Sequence, residues 1–127
     1  MSKNPLKKLQ KIIIKFRDDR DWRRFHHPKD LSISIAIEAA ELMGLFQWKD
    51  TQGNIGNKEK MEKEFKKIIK DKQFLQLIKE ELADILIYSI FLADVLKIDL
   101  EEIIKMKIKM NEKKYPIQKV IEKNKEK

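Results

Sequence analysis

"LSISIAIEAAELMGLF", residues 31–46, decides the fold, because its two halves point to different secondary structures. Leu31 to Ile37 alternates apolar and polar side chains as a strand does. "EAAELMGLF" then continues with no turn signal and is rich in strong helix formers, so the whole stretch reads as one helix. Within it Glu38 and Glu41 sit three apart in an otherwise apolar run. Acids in that position need an explanation, since unpaired carboxylates are rarely buried.

The rest of the chain agrees with a helical reading. Its 127 residues suit one domain with no Gly/Ser linker, and only three Gly and three Pro interrupt the 42% hydrophobic residues. The composition predicts an all-α protein. The absence of cysteine excludes a disulfide framework, a thiolate metal site and a thiol nucleophile. No stretch reads as a secretory signal or a span of about twenty apolar residues, so a cytoplasmic location without membrane association is expected. The net charge of +8 comes from 25 Lys and 4 Arg, interspersed with acids in runs such as "NKEKMEKEFKKIIKDK". A nucleic-acid interface favours arginine with interleaved aromatics. We therefore expect a solvated surface and no nucleic-acid partner, with a field that still attracts anionic small molecules such as nucleotides.

Working outward, Pro5 opens a first helix running to about Arg20, with Leu6, Leu9, Ile13 and Phe16 on one face. "RDWRRFHHPKD" follows, with Pro28 marking the break, and Asp30 is available to cap the helix that carries Glu38 and Glu41 and closes near Trp48. "KDTQGNIGN" is a loop. A lysine- and glutamate-rich helix follows over about 58–71, with Met61, Phe65 and Ile68 or Ile69 as its apolar stripe. The next helix, about Gln73 to Lys97, is apolar nearly all round from Leu82 to Leu96, which predicts burial on most sides. Asp99, with Glu102 at capping-box distance, starts a last helix ending near "KKYP". Residues 118–127 read as a flexible tail.

"EELADILIY" supplies a second acidic pair, Glu81 and Asp84, on the most apolar helix. Residues at i and i+3 share a helix face, about 5–6 Å apart at Cβ, so each pair can aim at one point. Packed together, four carboxylates resist ionisation unless cations sit between them. Both histidines, His26 and His27, precede these helices, so the Glu-x-x-His pairs of di-iron bundles are missing. All-oxygen coordination favours Mg²⁺ or Mn²⁺. The competing reading, exposed acids paired with lysines, fits two pairs set among Ala, Leu and Ile less well than it fits one.

Two further groups have plain structural alternatives. Lys107 and Asn111 lie on or beside the stripe of Leu100, Ile103, Ile104 and Ile108, with Lys114 and Tyr115 one turn on. They could grip phosphate oxygens, and they could equally be a lysine-capped helix end. Trp22 and His26, four apart, and Trp48 could stack on a base; each taken singly could be ordinary core.

"RDWRRFH", "EAAELMGLFQWK", "EELADILIY" and "NEKKYP", in that order, resemble the all-α MazG-like nucleoside triphosphate pyrophosphohydrolases, above all their dCTP pyrophosphatase branch. The resemblance spans roughly residues 12–117. It implies a four-helix-bundle-type domain over residues 1–117, completed by dimerisation into dimers or tetramers. It also implies Mg²⁺ on Glu38, Glu41, Glu81 and Asp84 as the catalytic carboxylates. Lys107, Asn111, Lys114 and Tyr115 match the block used around triphosphate and sugar, and Trp22, His26 and Trp48 match positions that hold the base. The implied reaction is hydrolysis of dCTP or a related pyrimidine nucleotide to monophosphate and pyrophosphate, in nucleotide-pool sanitation. A broad-specificity enzyme for non-canonical nucleotides is the alternative, followed by a non-enzymatic basic helical module. One departure stands out: 39 residues separate Glu41 from Glu81, more than the family pattern, with the excess in the lysine-rich segment near 56–76. It predicts an added helix or a lengthened hairpin there.

Overall fold

A computed structural model describes residues 4–49 and 53–125. Six α-helices and one 3₁₀ turn account for the regular structure, with no strand among the described residues: α1 (Pro5–Asp18), a 3₁₀ turn (Arg23–Phe25), α2 (Pro28–Phe46), α3 (Lys58–Lys70), α4 (Lys72–Val95), α5 (Leu100–Lys114) and α6 (Ile117–Lys125). The chain divides into two units, the first ending at Val95 and the second beginning at Leu96.

In the first unit, local chemistry sets the helix starts. Asn4 accepts from the Leu6 N–H (2.9 Å) with Pro5 at the first helical position. Residues 31–46 are helical throughout, so the alternation of "LSISIAI" yields to the helix formers that follow it. This helix starts earlier than Asp30 would have set it. His27 is the cap, its Nδ1 accepting from the Lys29 N–H (3.1 Å), because Pro28 has its φ already fixed for the first turn and lacks the N–H that would go unpaired there. Asp30 instead sits in the first turn, where its charge complements the helix dipole. The helix ends at Phe46, before Trp48. Gly53 and Gly56 in the following loop both have positive φ, which glycine adopts without strain; residues 50–52 of this predicted loop lie outside the described part. Asn57 caps α3 through the Lys60 N–H (3.1 Å), and Asp71 accepts from the Phe74 N–H (3.1 Å) at the start of α4. The lengthened segment is thus a helix of its own.

The packing centres on α4. Its contact with α2 is the most extensive of the fold, and α1 and α3 also pack on it. Leu31, Ile90, Phe91 and Ala93 form the buried apolar core. Each large member contributes about 1.5–3 kcal/mol on removal from water. The burial of α4 on most sides, expected from its composition, is not realised within one chain: Leu82 and Leu86 are about half exposed (48% and 55%). The buried face of α1 is also rotated from the expected stripe. Leu9 and Phe16 lie toward solvent, while Arg17 is 2% exposed.

In the second unit, Asp99 Oδ1 accepts from the Glu102 N–H (3.1 Å), the cap the sequence predicts for α5. Residues 118–125, expected as an irregular tail, belong to α6 after the break at Pro116.

Candidate active site

Three of the four acids, Glu38, Glu41 and Glu81, meet where α2 packs on α4. Carboxylate oxygens of Glu38, Glu41 and Glu81 lie within 4.8 Å of one another, with Glu38 and Glu81 half-buried and Glu41 exposed. Glu38 Oε2 and Glu81 Oε2 are sealed from solvent without a donor from the described residues. While both are ionised, neither can donate to the other; a shared proton is the remaining way to pair them. That sharing with Glu38, followed by burial and the proximity of Glu41, pushes Glu81 up to about 7. For Glu38 the hydrogen bond from a protonated Glu81 works downward, but burial and the charges of Glu41 and Asp84 outweigh it and leave Glu38 raised. Asp84 stands outside the close triad yet near enough for its charge to act on Glu38. Half-buried, mutually repelling carboxylates with orphaned oxygens fit a hard divalent cation, which would satisfy both the charge and the lone pairs.

Trp22 and His26 are held in the segment between α1 and α2. The Trp22 ring meets Phe16 edge-on (centroids 5.5 Å), and Arg20 lies 3.7 Å over Phe16. His26 packs on Phe91 of α4 (centroids 4.6 Å), with its Nδ1 buried and unpartnered. Burial first, then the positive charge of Arg17, holds its imidazole below the ordinary value, so His26 is neutral near pH 7. Trp48 differs: it is 87% exposed beyond the end of α2 and makes no ring contact among the described residues. In the second unit Lys107, Asn111 and Lys114 recur at helical spacing along α5. The Tyr115 N–H donates to the Asn111 carbonyl (2.7 Å) and Lys114 reaches over the Tyr115 ring (5.5 Å).

A further polar contact joins α1 to α4. Arg17 donates from Nη1 to Asp94 Oδ2 on α4 (2.6 Å) and from Nε to Asp18 Oδ1 (2.9 Å). The signal was available: Asp94 interrupts the apolar run "SIFLADVL" as Glu38 interrupts its own.

The helical architecture and the acidic cluster between α2 and α4 define a helical protein built around a carboxylate site, and residues 33–127 match the model of the MazG-like family. The chain belongs to that family. It is 32% identical over 111 residues to dCTP pyrophosphatase 1 of Homo sapiens, a match covering 87% of this chain and 59% of that protein. It is also 32% identical over 116 residues to dCTP pyrophosphatase 1 of Bos taurus, covering 91% and 62%. The chain therefore spans about three-fifths of the length of these curated relatives. Its fold is similar to the crystal structure of a pyrophosphatase from Archaeoglobus fulgidus, with a TM-score of 0.73 and 38% identity, covering 91% of this chain and 96% of that one. Among the described residues no helix is long and apolar enough to cross a membrane.

Proposed function

We propose that this protein hydrolyses a nucleoside triphosphate, dCTP or a related pyrimidine nucleotide, to the monophosphate and pyrophosphate. The observation that carries the proposal is the cluster of Glu38, Glu41 and Glu81, two of them with sealed, unpaired oxygens, on the two most closely packed helices. The pyrophosphatases among its relatives support the reaction class, and the dCTP pyrophosphatases among them support the base.

In this reading Glu38, Glu41, Glu81 and Asp84 hold Mg²⁺, or Mn²⁺ in its place. A cation held there would supply activation of the attacking water and neutralisation of phosphate charge. Water oxygen bonds to the α-phosphorus as one of its protons is released to solvent, the bond from that phosphorus to the bridging oxygen breaks, and pyrophosphate leaves with the electron pair. Lys107 and Lys114 pair with β- and γ-oxygens, Asn111 and Tyr115 serve the sugar and phosphate end, and Trp22, His26 and Trp48 serve the base. The open sides of Leu82 and Leu86 support a homo-oligomer, a dimer or tetramer, in which a second copy covers them. The pyrophosphohydrolase domain comprises residues 1–117, and its role is nucleotide-pool sanitation in the cytoplasm.

The test is to incubate the protein with each deoxy- and ribonucleoside triphosphate, with and without Mg²⁺, and to separate products by ion exchange. Monophosphate together with pyrophosphate, formed only with metal and fastest from dCTP, is the expected result. Hydrolysis of none of them overturns the proposal. Comparable kcat/KM for modified and canonical nucleotides replaces dCTP specificity with a broad house-cleaning activity.

A further inference from the structure

A chain that uses lysine for 25 of its 29 basic side chains places all four arginines within residues 17–24. Lysine and arginine carry the same charge, so such confinement points to a need for the planar fork of the guanidinium. Arg17 meets that need. Its side chain is enclosed, and it bonds two carboxylates in different directions, Asp94 on α4 and its neighbour Asp18. An ammonium on a flexible stem could not hold both with the same geometry.

What this anchor fixes is the path of the chain to Trp22 and His26. The Arg17 carbonyl accepts from the Arg20 N–H (3.1 Å) and the Trp22 N–H (3.2 Å), closing a turn in which Asp21 adopts a left-handed φ of 53°. Aspartate is among the few side chains that tolerate that conformation, which suits Asp21 to the turn. From there the Phe25 N–H donates to the Trp22 carbonyl (2.9 Å) and the His26 N–H to the Arg23 carbonyl (3.0 Å), delivering the His26 ring onto Phe91. Phe91 lies three residues before Asp94, so one turn of α4 receives both the guanidinium anchor and the imidazole.

We infer that the Arg17–Asp94 ion pair, with its guanidinium enclosed, is a positioning device for substrate selection: it fixes the turn over residues 17–26 so that Trp22 and His26 present a preformed surface to the base of the nucleotide. The inference rests on the reading above that Trp22 and His26 hold the base. Arg17 touches no substrate in this arrangement; it acts through the turn it anchors.

The experiment uses the full chain with the double substitution Arg17→Met and Asp94→Leu, which exchanges the ion pair for apolar side chains. Such exchanges often leave stability unchanged or improved. Arg17→Lys is a second variant that keeps the charge without the fork, and Trp22→Ala reports on the base contact itself. For each, circular dichroism and Tm establish folding. KM and kcat for dCTP are then compared with the inhibition constant of inorganic tripolyphosphate, which has phosphates but no base. The expected result is a KM raised about tenfold in the double variant with kcat little changed, the pattern of lost uniform binding. Trp22→Ala should raise KM likewise, and tripolyphosphate should inhibit all variants equally. If Trp22→Ala raises KM and the folded double variant does not, the ion pair only holds helices together and the inference falls alone. If tripolyphosphate inhibition weakens in parallel with KM, the damage is general and the inference also falls. An unchanged KM in Trp22→Ala removes the base-contact reading and this inference with it. Should the double variant fail to fold, the same comparisons on Arg17→Lys decide.

Discussion

Two places in the first unit set acids among apolar side chains, and the chain treats them oppositely. At Asp94 it supplies its own counter-charge, the enclosed guanidinium of Arg17, and the pair is complete without any ligand. Between Glu38 and Glu81 the described residues supply none: each has a sealed, unpartnered oxygen, and Glu41 adds a third carboxylate. A buried charge left uncompensated by the protein is destabilising, so it persists where something else brings the compensation. In the proposed reading, the contrast separates an acid that serves the architecture from acids that serve a ligand.

The largest expected effect breaks the second half of that comparison. Glu38→Ala should reduce turnover about a hundred- to a thousandfold, the scale of losing one group of the electrostatic machinery that steadies the transition state, with helix content by circular dichroism near wild type. Retained turnover would show that Glu38 is not part of the machinery. The architectural acid should respond in the opposite sense. Arg17→Met alone leaves Asp94 unpaired and should destabilise the fold by ~1.5–3 kcal/mol in denaturant titration, the scale of a lost hydrogen bond to a charged group, because Asp94 keeps partial contact with water. A loss too small to resolve would mean that solvent already screens this pair.

The acidic site should also be visible in the pH dependence of stability before any substrate is added. Glu81 titrates at about 7 in the folded chain against an ordinary 4.5, so the folded state binds the extra proton between those values. Stability of the metal-free protein from this group is therefore full below about pH 4.5 and declines as pH rises through 7. Glu81→Gln should flatten that decline, and Mg²⁺ should raise Tm more at pH 8 than at pH 6, because protons compete with the cation for the same oxygens. A metal-induced Tm shift that is larger at pH 6 would contradict the site. At the small end, Lys63→Ala removes an exposed contact to Glu59 at 3.6 Å and should leave Tm unchanged in a thermal scan. A clear drop would make surface pairing a larger contributor than the buried pair's contrast allows.

Much of the molecule is legible in the sequence because the signals are local. Asp99 and Glu102 lie three residues apart, and the cap they announce is a bond between those two positions. The acidic pairs are legible for the same reason, since i and i+3 share a face on any helix. Other features depend on competition or distance. His27 takes the capping role from Asp30 because Pro28 starts the helix sooner. Residues 118–125 contain apolar positions too few to declare a helix, yet α6 forms after Pro116. The face of α1 turns toward Ile14 and Arg17 because Asp94, 77 residues away, offers Arg17 a partner.

The sequence by itself determined the helical class, the breaks between most helices and the two carboxylate pairs, all consequences of side-chain chemistry acting within a few residues. Only the tertiary structure decided which acid pairs with a guanidinium and which acids face one another. That outcome depends on how α2 and α4 are packed, and the electrostatic energy of a charge depends on what the fold brings beside it.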